Sequence, residues 1–355
     1  RLHRRAAYAA LCLPVTRAAW AAAFALLVLT MGTSIITPLF PLYQDRFALS
    51  NGEITLLFTV YSLAVAPTML LMGNLSDVIG RKRVILPALL AMALGSLVMG
   101  LADSVPVLFA GRILQGLAIG GMLGVGTAFV VDHARLGYKA RASELAGLAF
   151  RVGFGLGPGL GGLVAANLPD PVHLPFRMHA GLTAIAVVVV LLTPETIRRS
   201  RRVMRIGVGV PAGQLWAFAS FLAPAIFLMS FLDGTLLSVV PLYMSDTLGV
   251  ESVALIGLVG FLILGMGGVS PFFFSGLDPR RAVMIGAGTA AASSILIVLA
   301  AGIGSVLVVV AAAGLIGLLN GLILQGATTI CGISVPLSER GKLISALYMT
   351  AYSGT

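Results

Sequence analysis

Charge is what this 355-residue chain lacks most: Asp, Glu, Lys and Arg together make up only 10% of it. Soluble domains carry about 25%. So small a supply cannot cover a water-facing surface, which excludes an ordinary soluble enzyme or binding domain. Cysteine is nearly absent as well. Cys12 and Cys331 are the only two; they form no metal or redox spacing and have no assigned role. No Walker motif and no soluble domain is present, which argues against an ATP-driven pump. H-E-x-x-H, G-x-S-x-G and paired intramembrane aspartates are missing too, which argues against an intramembrane enzyme.

What is present is apolar. Hydrophobic residues make up 58% of the chain, and the mean hydropathy is +1.03. A bilayer is the solvent that suits such a chain, and about 20 apolar residues span it as a helix. Spans are expected near 19–41, 54–74, 84–102, 106–131, 143–166, 178–194, 215–243, 252–275, 281–302 and 304–331. An eleventh begins near 342 and is cut off at Thr355. All should be helices, because lipid offers no partner to open backbone groups. The first residue is Arg1, not Met, so the start reads as trimmed. The Arg-rich start before a long apolar run reads as a signal anchor that stays in place.

The net charge of +10 is spread over the breaks between spans. There is no basic groove and no aromatic interleaving, so the charge reads as topogenic and no nucleic-acid partner is expected. Alternate breaks hold 19 of the 23 basic residues, in groups such as Arg81-Lys82-Arg83, Arg135 with Lys139 and Arg141, and Arg280-Arg281. The opposite breaks hold only Arg46 and Arg177. This asymmetry places the N-terminus and the basic breaks in the cytoplasm of a multi-pass protein of the inner (plasma) membrane.

The longest basic break divides the chain. Residues 1–197 read as a six-helix bundle, 198–213 as a basic linker rich in glycine, and 214–355 as a second, incomplete bundle. The halves echo each other. Pro41-Leu42-Tyr43 closes span one and Pro241-Leu242-Tyr243 closes span seven, while Gln115-Gly116 in span four is answered by Asn320-Gly321 in span ten. Two such halves are a transporter signature, with the substrate site at their interface near the midplane.

The break after span two reads Gly73-Asn-Leu-Ser-Asp77-Val-Ile-Gly80-Arg81-Lys82-Arg83. It resembles the G-x-x-x-D-x-x-G-R-K loop of the major facilitator superfamily, at the place where that family carries it. Span four reads Arg112-Ile-Leu-Gln115-Gly116 and resembles the family's R-x-x-Q-G motif. Span five, Gly153-Phe-Gly155-Leu-Gly157-Pro158-Gly159-Leu-Gly161-Gly162, is similar to the G-x-x-x-G-P-x-x-G-G core found in drug–proton antiporters. The longer form has a glycine where this chain has Glu144. The resemblance covers the whole chain. It implies two pseudo-symmetric six-helix bundles in an all-α membrane fold, truncated here within helix eleven, and alternating access by rocking. It also implies that Gly73, Asp77, Gly80, Arg81 and Asp132 latch the halves on the cytoplasmic side.

Physical reasoning adds roles. Gly153, Gly157 and Gly161 form a stripe for close helix packing, and Pro158 frees a backbone carbonyl. Gly116, Gly120 and Gly124 form a similar stripe. Lys82 and Arg83 read as topogenic, and Ser50 with Glu53 as a capping box. Arg112 is costly to bury, at about 2.5–3.5 kcal/mol or more, which points to a cavity or a partner. Arg151 and Asp233 lie deep in spans five and seven, where charge is functional by default. His179, near the outer end of span six, reads as interfacial rather than as a proton relay.

Of the 13 acidic residues, only Asp233 falls at hydrocarbon depth, so it is the candidate proton carrier. Arg112, Gln115, Arg151 and Asp233 are the candidate cavity residues. The expected function is proton-coupled efflux of a small, hydrophobic compound by a monomer without metal or cofactor. The alternative is a proton symporter for a sugar, organic acid or other metabolite.

Overall fold

The computed structural model describes residues 16–197, 209–274 and 276–354. The basic residues Arg198 to Arg205 and the first-terminus group at Arg1, Arg4 and Arg5, together with Cys12, lie outside that range. Among the described residues every regular element is helical. In chain order they are α1 (Arg17–Phe47), α2 (Asn51–Ile79), α3 (Lys82–Met99), α4 (Val105–Asp132), α5 (Lys139–Asn167), α6 (Leu174–Leu192), α7 (Leu215–Asp246), α8 (Val253–Gly268), α9 (Pro279–Ile303), α10 (Val306–Ser334) and α11 (Leu337–Gly354). Nine of these are long and apolar enough to cross a membrane; α8 is shorter.

Three expectations about spans change. Span one does not end at Pro41. It tightens into a 3₁₀ turn at Thr37–Leu39 and runs on to Phe47. Pro38 and Pro41 each fall at the start of a helical piece, where their missing N–H has no helical partner to lose. The matching Pro241 lies inside α7, which continues to Asp246. Span eight breaks at Met266–Gly268 before a short turn at Ser270–Phe273. Gly265, Gly267 and Gly268 followed by Pro271 leave little to hold an α-helix there. The capping box at α2 forms as read: Glu53 Oε2 accepts from the Ser50 N–H at 2.8 Å, and the Ser50 hydroxyl accepts from the Glu53 N–H at 3.3 Å.

The helices bury apolar residues in three main clusters. One cluster joins both halves at the end away from the basic breaks. There Ile35, Phe40 and Tyr43 of α1 meet Leu237 and Val240 of α7 and Ile256 and Val259 of α8. Toward the basic end the cores separate. Leu26, Met92 and Phe129 belong to a cluster of the first half, and Ile226, Val283 and Ala327 to one of the second.

Candidate functional site

A cavity of about 130 Å³ opens where the two halves face each other. Phe58 and Tyr61 of α2 and Phe150 and Phe154 of α5 form one wall; Tyr348 and Tyr352 of α11 form part of the other. Two charged residues line it, Arg151 and Asp233. Asn320 of α10 donates Nδ2–H to Asp233 Oδ1 at 2.6 Å, which orients the amide because a carboxylate accepts. Arg151 lies within electrostatic reach of Asp233 and Tyr348. The direct ion pairs among the described residues lie elsewhere, and Arg151 Nη2 is buried without a partner. Its guanidinium rests on the α8 break, where a Cβ at Gly267 would collide with Nη1. The α8 break is therefore the floor of the cationic corner.

Arg112 and Gln115 do not line this cavity, contrary to expectation. Arg112 is fully buried behind Tyr61, with its guanidinium 4.6 Å from the Tyr61 ring centroid. Nη1 donates to Thr33 O at 2.8 Å and to Gln115 Oε1 at 2.9 Å, and Nε donates to Leu57 O at 3.3 Å. These partners all face inward, so the residue does not snorkel. His179 is not interfacial either. Because α6 begins at Leu174, its second turn is already inside the bundle, and His179 is only 2% exposed.

Span five packs in two directions. Added Cβ atoms at Gly153, Gly157 and Gly161 would strike α1, at Thr30 and Leu27, at Ser34 and Met31, and at Ile35. Those at Gly155 and Gly162 would strike α8 of the other half, at Gly265 and at Val253 and Gly257. Pro158 seats against Gly257 and Gly260. One face of α5 thus holds its own half together while the other forms the seam between halves. The α1 face uses the carbonyl that Pro158 frees: the Ser34 hydroxyl donates to Phe154 O at 2.6 Å. Ser34→Ala orphans that carbonyl and should cost about 1 kcal/mol of stability, read as a lower thermal midpoint in detergent. Gly116 and Gly120 likewise abut Tyr61 and Val65 of α2, but Gly124 meets nothing, so that stripe is two glycines long.

At the basic end, Arg81 gathers α2, α3 and α4. Its Nη1 pairs with Asp77 Oδ1 at 2.6 Å and its Nε with Asp132 Oδ2 at 3.2 Å. Gly80 turns the chain with φ +110°, and Gly73 lies near the end of α2. Glu195 accepts from the backbone N–H groups of Arg81 and Lys82 at 3.1 and 3.0 Å, offering negative charge to the start of α3. Lys82 is more than topogenic, since Nζ donates to Leu191 O and Thr193 O and closes the end of α6. Arg83 donates to Ile79 O at 3.0 Å. All these partners lie in the first half.

The arrangement has a match. The profile of the Major Facilitator Superfamily covers residues 22–355. The chain belongs to that superfamily. Membership places it in a family of multi-pass membrane transporters. Multidrug resistance protein 1 of Bacillus subtilis is 27% identical to it over 208 residues, 57% of this chain and 50% of that protein. The class B tetracycline resistance protein of Escherichia coli is 25% identical over 272 residues, 73% of this chain and 65% of that protein. The chain thus spans about half to two thirds of the length of these relatives. Among solved structures, a peptide transporter in complex with alafosfalin superposes with a TM-score of 0.72 at 14% identity, over 95% of this chain and 85% of that one. That likeness concerns the fold.

Within the superfamily fold, the residues singled out from sequence fall into separate places. Arg151 and Asp233 share the cavity, Arg112 and Gln115 stand behind its wall, and the basic-end group forms its own cage. Sequence reasoning missed Tyr61, Tyr348 and Tyr352, because aromatic residues in spans carry no spacing that separates cavity from core. It read Pro194-Glu195-Thr196 only as the close of span six, because the partners of Glu195 are 113 and 114 residues away.

Proposed function

We propose that this transporter exports small, largely apolar compounds in exchange for protons. The observation that carries the reading is Asp233: an acid at hydrocarbon depth, in an aromatic-walled cavity between the halves, held by Asn320 and facing Arg151. A carboxyl that can be neutral in one state and charged in another is what proton coupling requires. The aromatic walls suit an apolar, ring-bearing cargo. Similarity to proteins named for multidrug and tetracycline resistance supports efflux. Residues 1–197 and 214–355 act as two rocking bundles joined by 198–213, in a monomer. The basic-end group Gly73, Asp77, Gly80, Arg81 and Asp132 governs closure on the cytoplasmic side.

The decisive experiment is flux through the complete gene product in proteoliposomes, in both directions, with and without a proton gradient. Cargo accumulation driven uphill by an opposing proton gradient is expected. Flux indifferent to that gradient, or uphill only in the same direction as protons, refutes exchange.

Topology is tested apart from activity. The basic breaks support a cytoplasmic N-terminus and linker in a plasma membrane. Cysteines at positions 48 and 203 should label from opposite sides; labelling of both from outside overturns the orientation. Asp77→Asn removes one of the two carboxylates on Arg81. It should lower maximal flux severalfold, in line with roughly 1 kcal/mol for a partly exposed pair, with little change in half-saturating cargo concentration. A large loss of affinity at normal maximal flux contradicts a closure role.

A further inference from the structure

We propose that His179 positions Arg112, and through Arg112 the Tyr61 wall of the cavity, by way of a one-directional chain of hydrogen bonds. This goes beyond the export reading; its flux test rests on that reading's apolar, ring-bearing cargo, whereas its resonance test stands without it.

Four links run through the first half. Arg112 Nη1 donates to Gln115 Oε1 at 2.9 Å. Gln115 Nε2 donates to Ser96 Oγ at 3.5 Å, the longest link. Ser96 Oγ and His179 Nδ1 lie 2.8 Å apart, as do His179 Nε2 and Val28 O. The ends dictate the direction. A guanidinium only donates, so Gln115 must turn its oxygen to Arg112 and its amide nitrogen to Ser96. A backbone carbonyl only accepts, so His179 must carry its hydrogen on Nε2. The Ser96 hydroxyl then donates to a bare Nδ1, and every link is satisfied by one arrangement: a neutral imidazole in the Nε2–H form. Thr183 fits the same assignment. Its hydroxyl donates to His179 O at 2.8 Å, so toward Nε2, 3.4 Å away, it is free to accept.

The backbone is shaped to admit this chain. A Cβ at Gly32 would collide with the His179 ring, and one at Gly95 would come within 3.1 Å of Gln115 Cγ. Ser96, Gln115, Arg112 and His179 are all essentially excluded from solvent, where an unmade hydrogen bond is costly. The chain links α1, α3, α4 and α6 and ends on the face of Tyr61. Tyr61 in turn bonds through its side chain to Thr33 and to Tyr352 of the opposite half, and both tyrosines line the cavity. His179 touches no cargo; it acts through Arg112.

The test uses the full chain in proteoliposomes, with ethidium as probe and His179→Leu, His179→Gln and Ser96→Ala as variants. His179→Leu and Ser96→Ala should each raise half-saturating ethidium about fivefold, the order of one lost hydrogen bond, with a smaller effect on maximal rate. Gln keeps an acceptor and a donor and should restore most of the loss. The double variant should be no worse than either single one, since both cut one chain. Unchanged half-saturation, a Gln variant as impaired as Leu, or additive losses overturn the proposal. Ser96→Ala removes only a hydroxyl and decides the matter if His179→Leu does not fold. Nitrogen-15 resonances give a readout independent of cargo. The histidine signal lost in His179→Gln should report Nε2–H, and the guanidinium signal lost in Arg112→Lys should shift in Ser96→Ala. An imidazolium, an Nδ1–H form or an unmoved guanidinium each refutes the chain.

Discussion

Asp233→Asn should abolish proton-driven uphill flux while leaving downhill flux in place. Asn is nearly the same size, so the cavity keeps its shape, but it neither takes up nor releases a proton. The geometry makes the separation clean. Asp233 accepts from Asn320 Nδ2 at 2.6 Å, and in Asp233→Asn the side-chain oxygen can still accept that bond. What disappears is the switch between a neutral and a charged group facing Arg151. Arg151 is effectively always charged, so in the native protein a protonated Asp233 leaves that cation alone in the cavity and an ionised one balances it. Uphill accumulation should fall to the passive level, a loss of up to about tenfold for one-for-one exchange at a gradient of about one pH unit, equivalent to about 1.4 kcal/mol. Flux measured with and without the gradient distinguishes the outcomes. Retention of uphill flux removes Asp233 as the carrier; loss of both modes with a correctly folded protein means that it also binds cargo.

Arg112→Ala should be the most damaging single substitution in the first half. The side chain is fully buried and serves three acceptors, Thr33 O, Leu57 O and Gln115 Oε1. Truncation leaves a void the size of a long side chain and strips Gln115 of its donor, a combined cost of about 2–5 kcal/mol. Tyr61 also loses the cation held against its ring, and Tyr61 is a cavity wall. A markedly lower unfolding midpoint and coupled flux near background are therefore expected together. Arg112→Lys should keep part of both, because an ammonium retains the charge but cannot reach Leu57 O, which Nε serves, together with Thr33 O and Gln115 Oε1, which Nη1 serves. Unchanged midpoint and full flux in the Ala variant would show that nothing depends on the buried guanidinium.

Much of this was legible in the residue order. Hydropathy alone sets the number and rough limits of the spans, because helices in lipid must satisfy their own backbone groups and need about 20 residues to cross. The glycine spacing of span five announces close packing, and the rarity of acids draws attention to Asp233. Where the reading failed, the cause was local chemistry or distance in the chain. Pro41 looked like a stop but began a helical piece. Span eight looked continuous but broke where three glycines preceded a proline.

The residue order by itself determined that this chain is a helical membrane protein in which every second break is basic, because bilayer energetics act on composition and length. It also determined which charges are unusual, because burying charge in lipid is costly wherever it occurs. Only the tertiary structure decided which of those charges meet. Arg112 and Arg151 look alike in sequence, each a lone cation in an apolar helix. One faces inward to Gln115 and stands behind Tyr61; the other faces Asp233 across the cavity. That difference depends on helix rotation and on which helices become neighbours. These follow from small-residue contacts such as Gly155 on Gly265, 110 positions apart, and no local pattern encodes them.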